Sequence, residues 1–289
     1  MSALLFYLFI IPISLLPSPF LYLLSDLVYF LVYKVFGYRT KVVIQNLRNS
    51  YPQKSEAEIQ AICKDFYHHL ADIILESIKL FTLSKSELRK RFVCTNPELV
   101  ESFYKKGRHA MGLTCHYANW EWLAASVADH SSHMAIGIYQ PLTNPFFEKK
   151  MLKSRGKLGT YLVGVKKAKE SIENYLNSEK LFVCTIIDQT PSNPEKCYWT
   201  HFLNQDTPVH LGMDKYARDY NCVVLFAVTK KVRRGFYEVH YELLCEEPSQ
   251  TQLGEIAEMY TRKTEEIVNA DPQYWLWTHK RWKHKRKVQ

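Results

Sequence analysis

The alternation of apolar and polar positions changes rhythm three times along the chain. Residues 1 to 33 hold a single charge, Asp26, in a run otherwise apolar and long enough to cross a bilayer as a helix. Pro12, Pro17 and Pro19 interrupt it midway, so two shorter apolar helices in a dipping hairpin fit it as well as one straight span. Between Ser55 and Phe81 the residues Ile59, Ile62, Phe66, Leu70, Ile73 and Ile74 recur at helical spacing, and Ser55 with Glu58 makes a capping box. A long amphipathic helix is predicted there. From residue 109 onward short apolar runs alternate with helical stretches. The pattern predicts strands at 110–115, 134–139, 160–163, 181–187, 223–228 and 236–245. Helices at 120–129, 145–155, 165–177 and 209–220 separate most of them, and another follows at about 252–269. The expected fold is α/β: a mixed, mostly parallel sheet covered by helices on both faces, with an antiparallel hairpin near Arg233 to Gly235. No repeat or Pro/Gly/Ser-rich linker divides the globular part, so the chain reads as a membrane anchor over residues 1–33 and one domain over 34–289.

Charge sharpens this picture at both ends. Lys34, Arg39 and Lys41 follow the apolar run directly, which places the domain on the cytoplasmic side by the positive-inside tendency. No Lys or Arg precedes the run and no small-residue cleavage site stands out, which argues against a secretory signal. Over the whole chain 38 basic residues outnumber 29 acidic ones, for a formal charge of +9, so anionic partners are favoured. Six of the last ten residues are Lys or Arg, interleaved with tryptophan just before, as expected of a basic tail lying on an anionic membrane surface. Nucleic acid is not an expected partner, because no nucleic-acid-binding module accompanies the patch. Seven cysteines form no Cys-x-x-Cys pair and read as reduced thiols in the cytoplasm, with neither a metal site nor a disulfide framework.

The candidate chemistry centres on Cys115-His116-Tyr117-Ala118-Asn119-Trp120-Glu121. On one continuous helix His116 and Glu121 would stand roughly 140° apart, so a turn has to lie between them. With His116 at the carboxyl end of a strand and Glu121 in the first turn of the following helix, the two can converge at the edge where open α/β sheets bind ligands. A carboxylate that accepts a proton from one imidazole nitrogen leaves the other basic, so the pair reads as a base with its orienting group. A buried histidine bonded to a helix N-terminal glutamate satisfies the same spacing. Cys115 points to the opposite face of the strand and is expected in the core. The chain lacks a phosphate loop, a Gly-x-Ser-x-Gly elbow, a His-Glu-x-x-His helix and a dinucleotide fingerprint, and no covalent nucleophile or cofactor is expected.

Taken together, these motifs resemble the lipid A late acyltransferases of bacteria, within the lysophospholipid acyltransferase superfamily. The resemblance rests on His116-x-x-Asn119-Trp120-Glu121, Tyr139-Gln140-Pro141, Arg155, Asp188-Gln189, Phe202 and the closing Trp277-x-His279-x-Arg281-Trp282-Lys283. Asn46-Leu47 and Tyr51-Pro52 also fit. It implies a glycerolipid acyltransferase-like fold and transfer of a fatty acyl chain from acyl carrier protein to a hydroxyl of a lipid A precursor, at the cytoplasmic face of the inner membrane. His116 would be the general base with Glu121 fixing its tautomer, and no acyl-enzyme would form. Arg155 would hold an acceptor phosphate or the developing oxyanion, and Asp188, Asn119, Trp120, Tyr139 and Gln189 would complete the substrate-binding site. No glycine follows Asp188-Gln189 where the family pattern has one, so the acceptor pocket is expected to differ. The competing functions are acylation of another lipid, a membrane-bound lipid hydrolase using the same pair on water, and a silent lipid-binding protein.

Overall fold

The structure is a computed structural model that describes residues 2–286. Met1 of the expected anchor and residues 287–289 of the basic tail lie outside the described residues. The chain opens with α1 (Ser2–Leu5), a π-helical segment (Phe6–Ile10) and α2 (Ile11–Leu15). It then turns at Leu16-Pro17 into α3 (Ser18–Tyr29), which runs on as a π-helix over Phe30–Val35. The prolines break the run as expected, and the result is a helical hairpin. α4 (Thr40–Ser50) follows, then the long α5 (Glu56–Lys79), whose Ser55–Glu58 capping box forms as the spacing predicts.

Short elements lead into the sheet: α6 (Lys85–Arg91), β1 (Phe92–Cys94) and α7 (Pro97–Lys105). The α/β alternation is then β2 (Ala110–Thr114), α8 (Trp120–Ser126), β3 (Met134–Tyr139), α9 (Pro145–Arg155), β4 (Tyr161–Gly164), α10 (Ala168–Tyr175) and β5 (Leu181–Ile186). A separate antiparallel hairpin, β6 (Tyr198–Phe202) and β7 (Gln205–Val209), precedes α11 (Gly212–Asp219). The long hairpin β8 (Val223–Arg233) and β9 (Phe236–Cys245) and then α12 (Glu255–Ala270) complete the domain.

Seven strands form one sheet in the order β1-β9-β8-β2-β5-β3-β4, parallel throughout except where β8 meets β9. This is the mostly parallel sheet, with its one antiparallel hairpin, that the apolar pattern predicts. The central strand β2 is buried at every residue, as a parallel strand covered on both faces must be. Its register fixes the site: Gly112 lies opposite Cys184 of β5 and Leu225 of β8, and Thr114 opposite Ile186. β2 and β5 therefore end side by side. The chain leaving β2 carries His116 and the chain leaving β5 carries Asp188.

Two sequence expectations are corrected here. The stretch 198–209 pairs as β6 and β7, so the helix expected from Val209 starts at Gly212. β6 has mixed burial and β7 contains Pro208, so neither shows the clean alternation that marks a strand. Within the N-terminal hairpin, α3 packs lengthwise on α5 and is tied to it by side-chain hydrogen bonds. The tryptophans of the C-terminal segment, expected with the basic tail at a membrane surface, are buried instead: Trp275 and Trp277 are 2% and 0% exposed, and Arg281 is buried as well. Asn46 of α4 donates to the Trp277 and His279 carbonyls and Phe202 stacks on Trp282, so this segment is a strap closing over the strand ends.

Candidate active site

Elements that meet at the carboxyl ends of β2 and β5 hold His116 on two sides. The chain leaves β2 through a tight turn, with Tyr117 N–H bonded to the Cys115 carbonyl at 2.7 Å and Ala118 in the left-handed region at φ 49°. That conformation strains a residue with a Cβ, and several bonds oppose the strain. The C-terminal strap pairs with the turn: Ala118 N–H donates to the Tyr274 carbonyl and Leu276 N–H to the His116 carbonyl. His69 of α5 donates Nε2–H to the Ala118 carbonyl at 3.2 Å. Burial holds this imidazole neutral by lowering its pKa to about 3, with Lys231 adding to the effect.

His116 Nδ1 stands 2.7 Å from Asp188 Oδ1, and the His116 backbone N–H donates to Oδ2 at 3.0 Å. Trp275 Nε1–H donates to the same Oδ2 at 2.8 Å. Burial opposes charge on Asp188, but the adjacent His116 and these hydrogen bonds hold its carboxyl below the usual range. An ionised Asp188 accepts the Nδ1–H proton, which leaves Nε2 unprotonated and turned toward the cavity. Gln189 Nε2 lies 3.4 Å from that nitrogen, and the Trp120 ring stands edge-on to the imidazole at 5.3 Å.

Glu121 has a different partner from the one its spacing implies. Its carboxylate is gripped by Arg155 from the last turn of α9, with Nε–Oε2 at 2.8 Å and Nη2–Oε1 at 2.7 Å. The carboxylate at His116 Nδ1 is therefore that of Asp188 and not that of Glu121. A five-residue spacing brings His116 and Glu121 to one cavity, but Asp188 arrives from the neighbouring strand and lies closer to Nδ1. Arg155 is thus no surface cation, and its charge is matched by Glu121.

Asn119 is also placed differently from a substrate-binding residue. It is fully buried, its Oδ1 caps α8 by accepting from Trp122 N–H at 2.9 Å, and its Nδ2 donates to Glu76 at 2.7 Å. Glu76, fully buried on α5, also accepts from Tyr22 and Tyr237. Burial pushes its pKa up to about 7, while the Tyr237 hydrogen bond pulls against that. Its folded value thus lies above the unfolded one, so the stabilisation is complete below about pH 4.5 and is lost as pH rises through 7. A Glu76→Gln protein should lack this term, worth up to about 3 kcal/mol. Urea denaturation of both proteins at pH 5 and pH 8 checks it, since the variant's change in stability between the two should be smaller than that of the wild type.

A cavity of about 540 Å³ opens beside His116, lined at its mouth by Trp120, Glu121, Arg155, Tyr139, Gln189 and His210. It continues between α8 and the sheet past Leu123, Val127, Leu162, Ala227 and Tyr241, where the walls are mainly apolar. Two glycines leave room along the sheet. A Cβ on Gly112 would lie 2.9 Å from the Phe182 ring, and one on Gly137 2.8 Å from Leu162 Cδ2. Tyr139 donates to Glu148 and so faces the mouth from β3. Cys115 is buried on the opposite face of β2, as expected.

A histidine with one nitrogen fixed by a buried carboxylate and the other open to a long apolar cavity suits deprotonation of a hydroxyl beside an acyl chain. The family comparison agrees with that chemistry: the model of the bacterial lipid A biosynthesis acyltransferases matches residues 2–284. The chain belongs to that family. None of the curated proteins compared matches it. The match runs through every motif that carries the resemblance in the sequence and covers the N-terminal hairpin and the closing strap. Trp275 and Glu76, which hold this acyltransferase's site from behind, escape sequence reasoning. The signal for Trp275 was a tryptophan three residues past Pro272, and for Glu76 a third polar residue in helical register with His69 and Asp72 on α5.

Proposed function

We propose that this acyltransferase moves a fatty acyl chain from an acyl carrier protein thioester to a hydroxyl of a lipid A precursor at the cytoplasmic face of the inner membrane. The observation that carries the reading is the His116–Asp188 pair at the mouth of the apolar cavity. His116 Nε2 takes the acceptor hydroxyl proton as the oxygen attacks the thioester carbonyl. The tetrahedral intermediate then expels the thiolate, the C–S bond breaks, and the imidazolium returns the proton to sulfur. No acyl-enzyme is needed, because His116 activates the acceptor hydroxyl for direct attack on the thioester. Gln189, beside Nε2, orients the hydroxyl, and Glu121 with Arg155 forms the polar wall that the acceptor meets. The apolar depth of the cavity receives the acyl chain and keeps water from the thioester, which favours transfer over hydrolysis.

The donor is assigned from charge. Lys166, Lys167 and Lys169 follow Val165, which lines the cavity, and Lys149 and Lys153 lie exposed on α9, the helix that carries Arg155, so exposed cations flank two of the elements that line the cavity. Such a surface steers an acidic carrier protein, and the steering fades as salt screens it over about 10 Å at 0.1 M. The purified enzyme with a lipid A precursor should therefore use the carrier thioester far better than the same acyl group on coenzyme A, with the carrier's apparent affinity falling as salt rises. Equal use of both thioesters would sink the carrier assignment, and release of free fatty acid in place of an ester would sink the transferase mechanism.

A further inference from the structure

The N-terminal hairpin has two unlike faces, and their contacts decide how it can meet a bilayer. On the inner face of α3, Tyr22 donates to Glu76, Ser25 donates to the buried Asp72, and Asp26 accepts from Arg234 at 2.6 Å. Further along, Tyr29 stacks on His68 at 3.5 Å and Tyr33 on Tyr67 at 4.8 Å. As α3 runs forward from 22 to 33, its partners on α5 run back from 76 to 67. The two helices are therefore joined side by side over roughly 16 Å. α1 and α2 are tied down too: Asn144 donates to Ser2, Lys150 donates to Tyr7, and Thr82 donates to the Ser14 carbonyl.

The outer face is exposed. Phe20, Leu23, Leu27, Phe30 and Leu31 recur at helical spacing and are exposed, Leu23 to 68%, and Leu8 and Leu15 extend the stripe onto the preceding helices. Exposed cations stand at both ends of this apolar surface: Lys34 and Lys41 past α3, Lys149 and Lys153 on α9 beside α1.

We propose that the hairpin does not cross the membrane but lies in the plane of a single leaflet that contains anionic lipid, with the Phe20–Leu31 stripe among the acyl chains and the lysines at the headgroups. If α3 crossed, it would carry Asp72, Glu76, Lys231 and Arg234 into hydrocarbon with it, because its inner face is bonded to the first two and Asp72 to the other two. Lying flat, it buries only the stripe and leaves that network where it is. Since α1 packs on α9, and α9 places Arg155 in the cavity wall, this orientation also sets the cavity beside the headgroup layer. That last step rests on the acceptor being a membrane lipid, whereas the in-plane attachment does not.

The test uses the full chain on vesicles of phosphatidylethanolamine and phosphatidylglycerol, with nitroxide labels on single introduced cysteines at Phe20, Leu23, Leu27 and Leu31. Collision with oxygen and with a water-soluble nickel complex gives each depth. In-plane attachment puts all four at a similar depth, about 5–10 Å below the headgroups. A gradient of about 16 Å from the first label to the last would mean a crossing helix and would overturn the proposal. In a second arm, Leu23→Asp with Leu27→Asp should lower vesicle affinity on the order of 100-fold while shifting the thermal midpoint little, since the two residues are 68% and 51% exposed. Unchanged vesicle affinity, or a wild-type dimer in vesicle-free solution whose labels at Leu23 broaden each other, would show that the stripe serves something other than lipid. None of these readings depends on turnover, so a failed acceptor assignment would leave them standing.

Discussion

Asp188→Asn is expected to lower turnover by a factor on the order of 10³ to 10⁴ in a protein that still folds. The carboxylate accepts from three donors, the His116 backbone N–H, the imidazole Nδ1–H and Trp275 Nε1–H. An amide cannot satisfy them all. If its NH₂ faces Nδ1, the imidazole proton moves to Nε2 and the nitrogen facing the cavity can no longer act as a base. If the NH₂ faces the other way, it opposes the His116 backbone N–H and Trp275 Nε1–H, so the group that holds the ring is itself pushed out of place. His116→Ala should cost about 10² to 10⁴, and the double variant little more than the larger single effect, because the two act as one unit. Trp275→Phe, which removes one donor and leaves the charge, should cost less than either. Steady-state kinetics of the four proteins, with the nitrogen-15 shifts of His116 to report the tautomer, separates these effects. Turnover near wild type in a folded Asp188→Asn protein would dismiss the tautomer account, and the same result for His116→Ala would dismiss the base.

The sheet was legible because parallel strands are written as continuous apolar runs. The strand ranges at 134–139 and 236–245 agree residue for residue with the structure, and β2 and β5 end within a residue of expectation. β1, only three residues long, and the β6–β7 hairpin carry no such signature, and the two-residue turn between β6 and β7 uses Leu203 and Asn204 at positive φ. For the site, spacing could bring His116 and Glu121 to one cavity, but it could not tell which carboxylate would reach Nδ1. That depends on β2 and β5 being neighbours, a fact of strand order with no local trace in the sequence. The tryptophans of the C-terminal stretch were illegible for a related reason. The cations interleaved with them suggest a surface, yet the segment is held by Asn46, 231 residues away from the Trp277 carbonyl it binds. The lysines at 280, 283 and 285 are exposed as a basic tail would have them, while Arg281 between them is buried.

The Glu121–Arg155 pair should prove costly to break and cheap to replace. Both side chains are largely buried, at 12% and 21% exposure, and the pair bridges α8 and α9 across the cavity mouth. Arg155→Ala leaves the Glu121 charge without its bidentate partner, which should destabilise the protein by about 2–4 kcal/mol. Glu121→Leu should be similarly destabilising through the stranded guanidinium. Combining Glu121→Leu with Arg155→Met removes both charges and refills the space, so most of that stability should return, because the pair's attraction largely offsets the cost of drying two ions. Activity should not return with it. If Glu121 and Arg155 form the polar wall that the acceptor meets, the apolar pair will restore the melting temperature and leave the acceptor's Michaelis constant raised, with the donor's near its original value. A double variant that regained full acceptor affinity would reduce the pair to a structural clamp between two helices. One that stayed as unstable as the single variants would mean that Glu121 is held by groups other than Arg155.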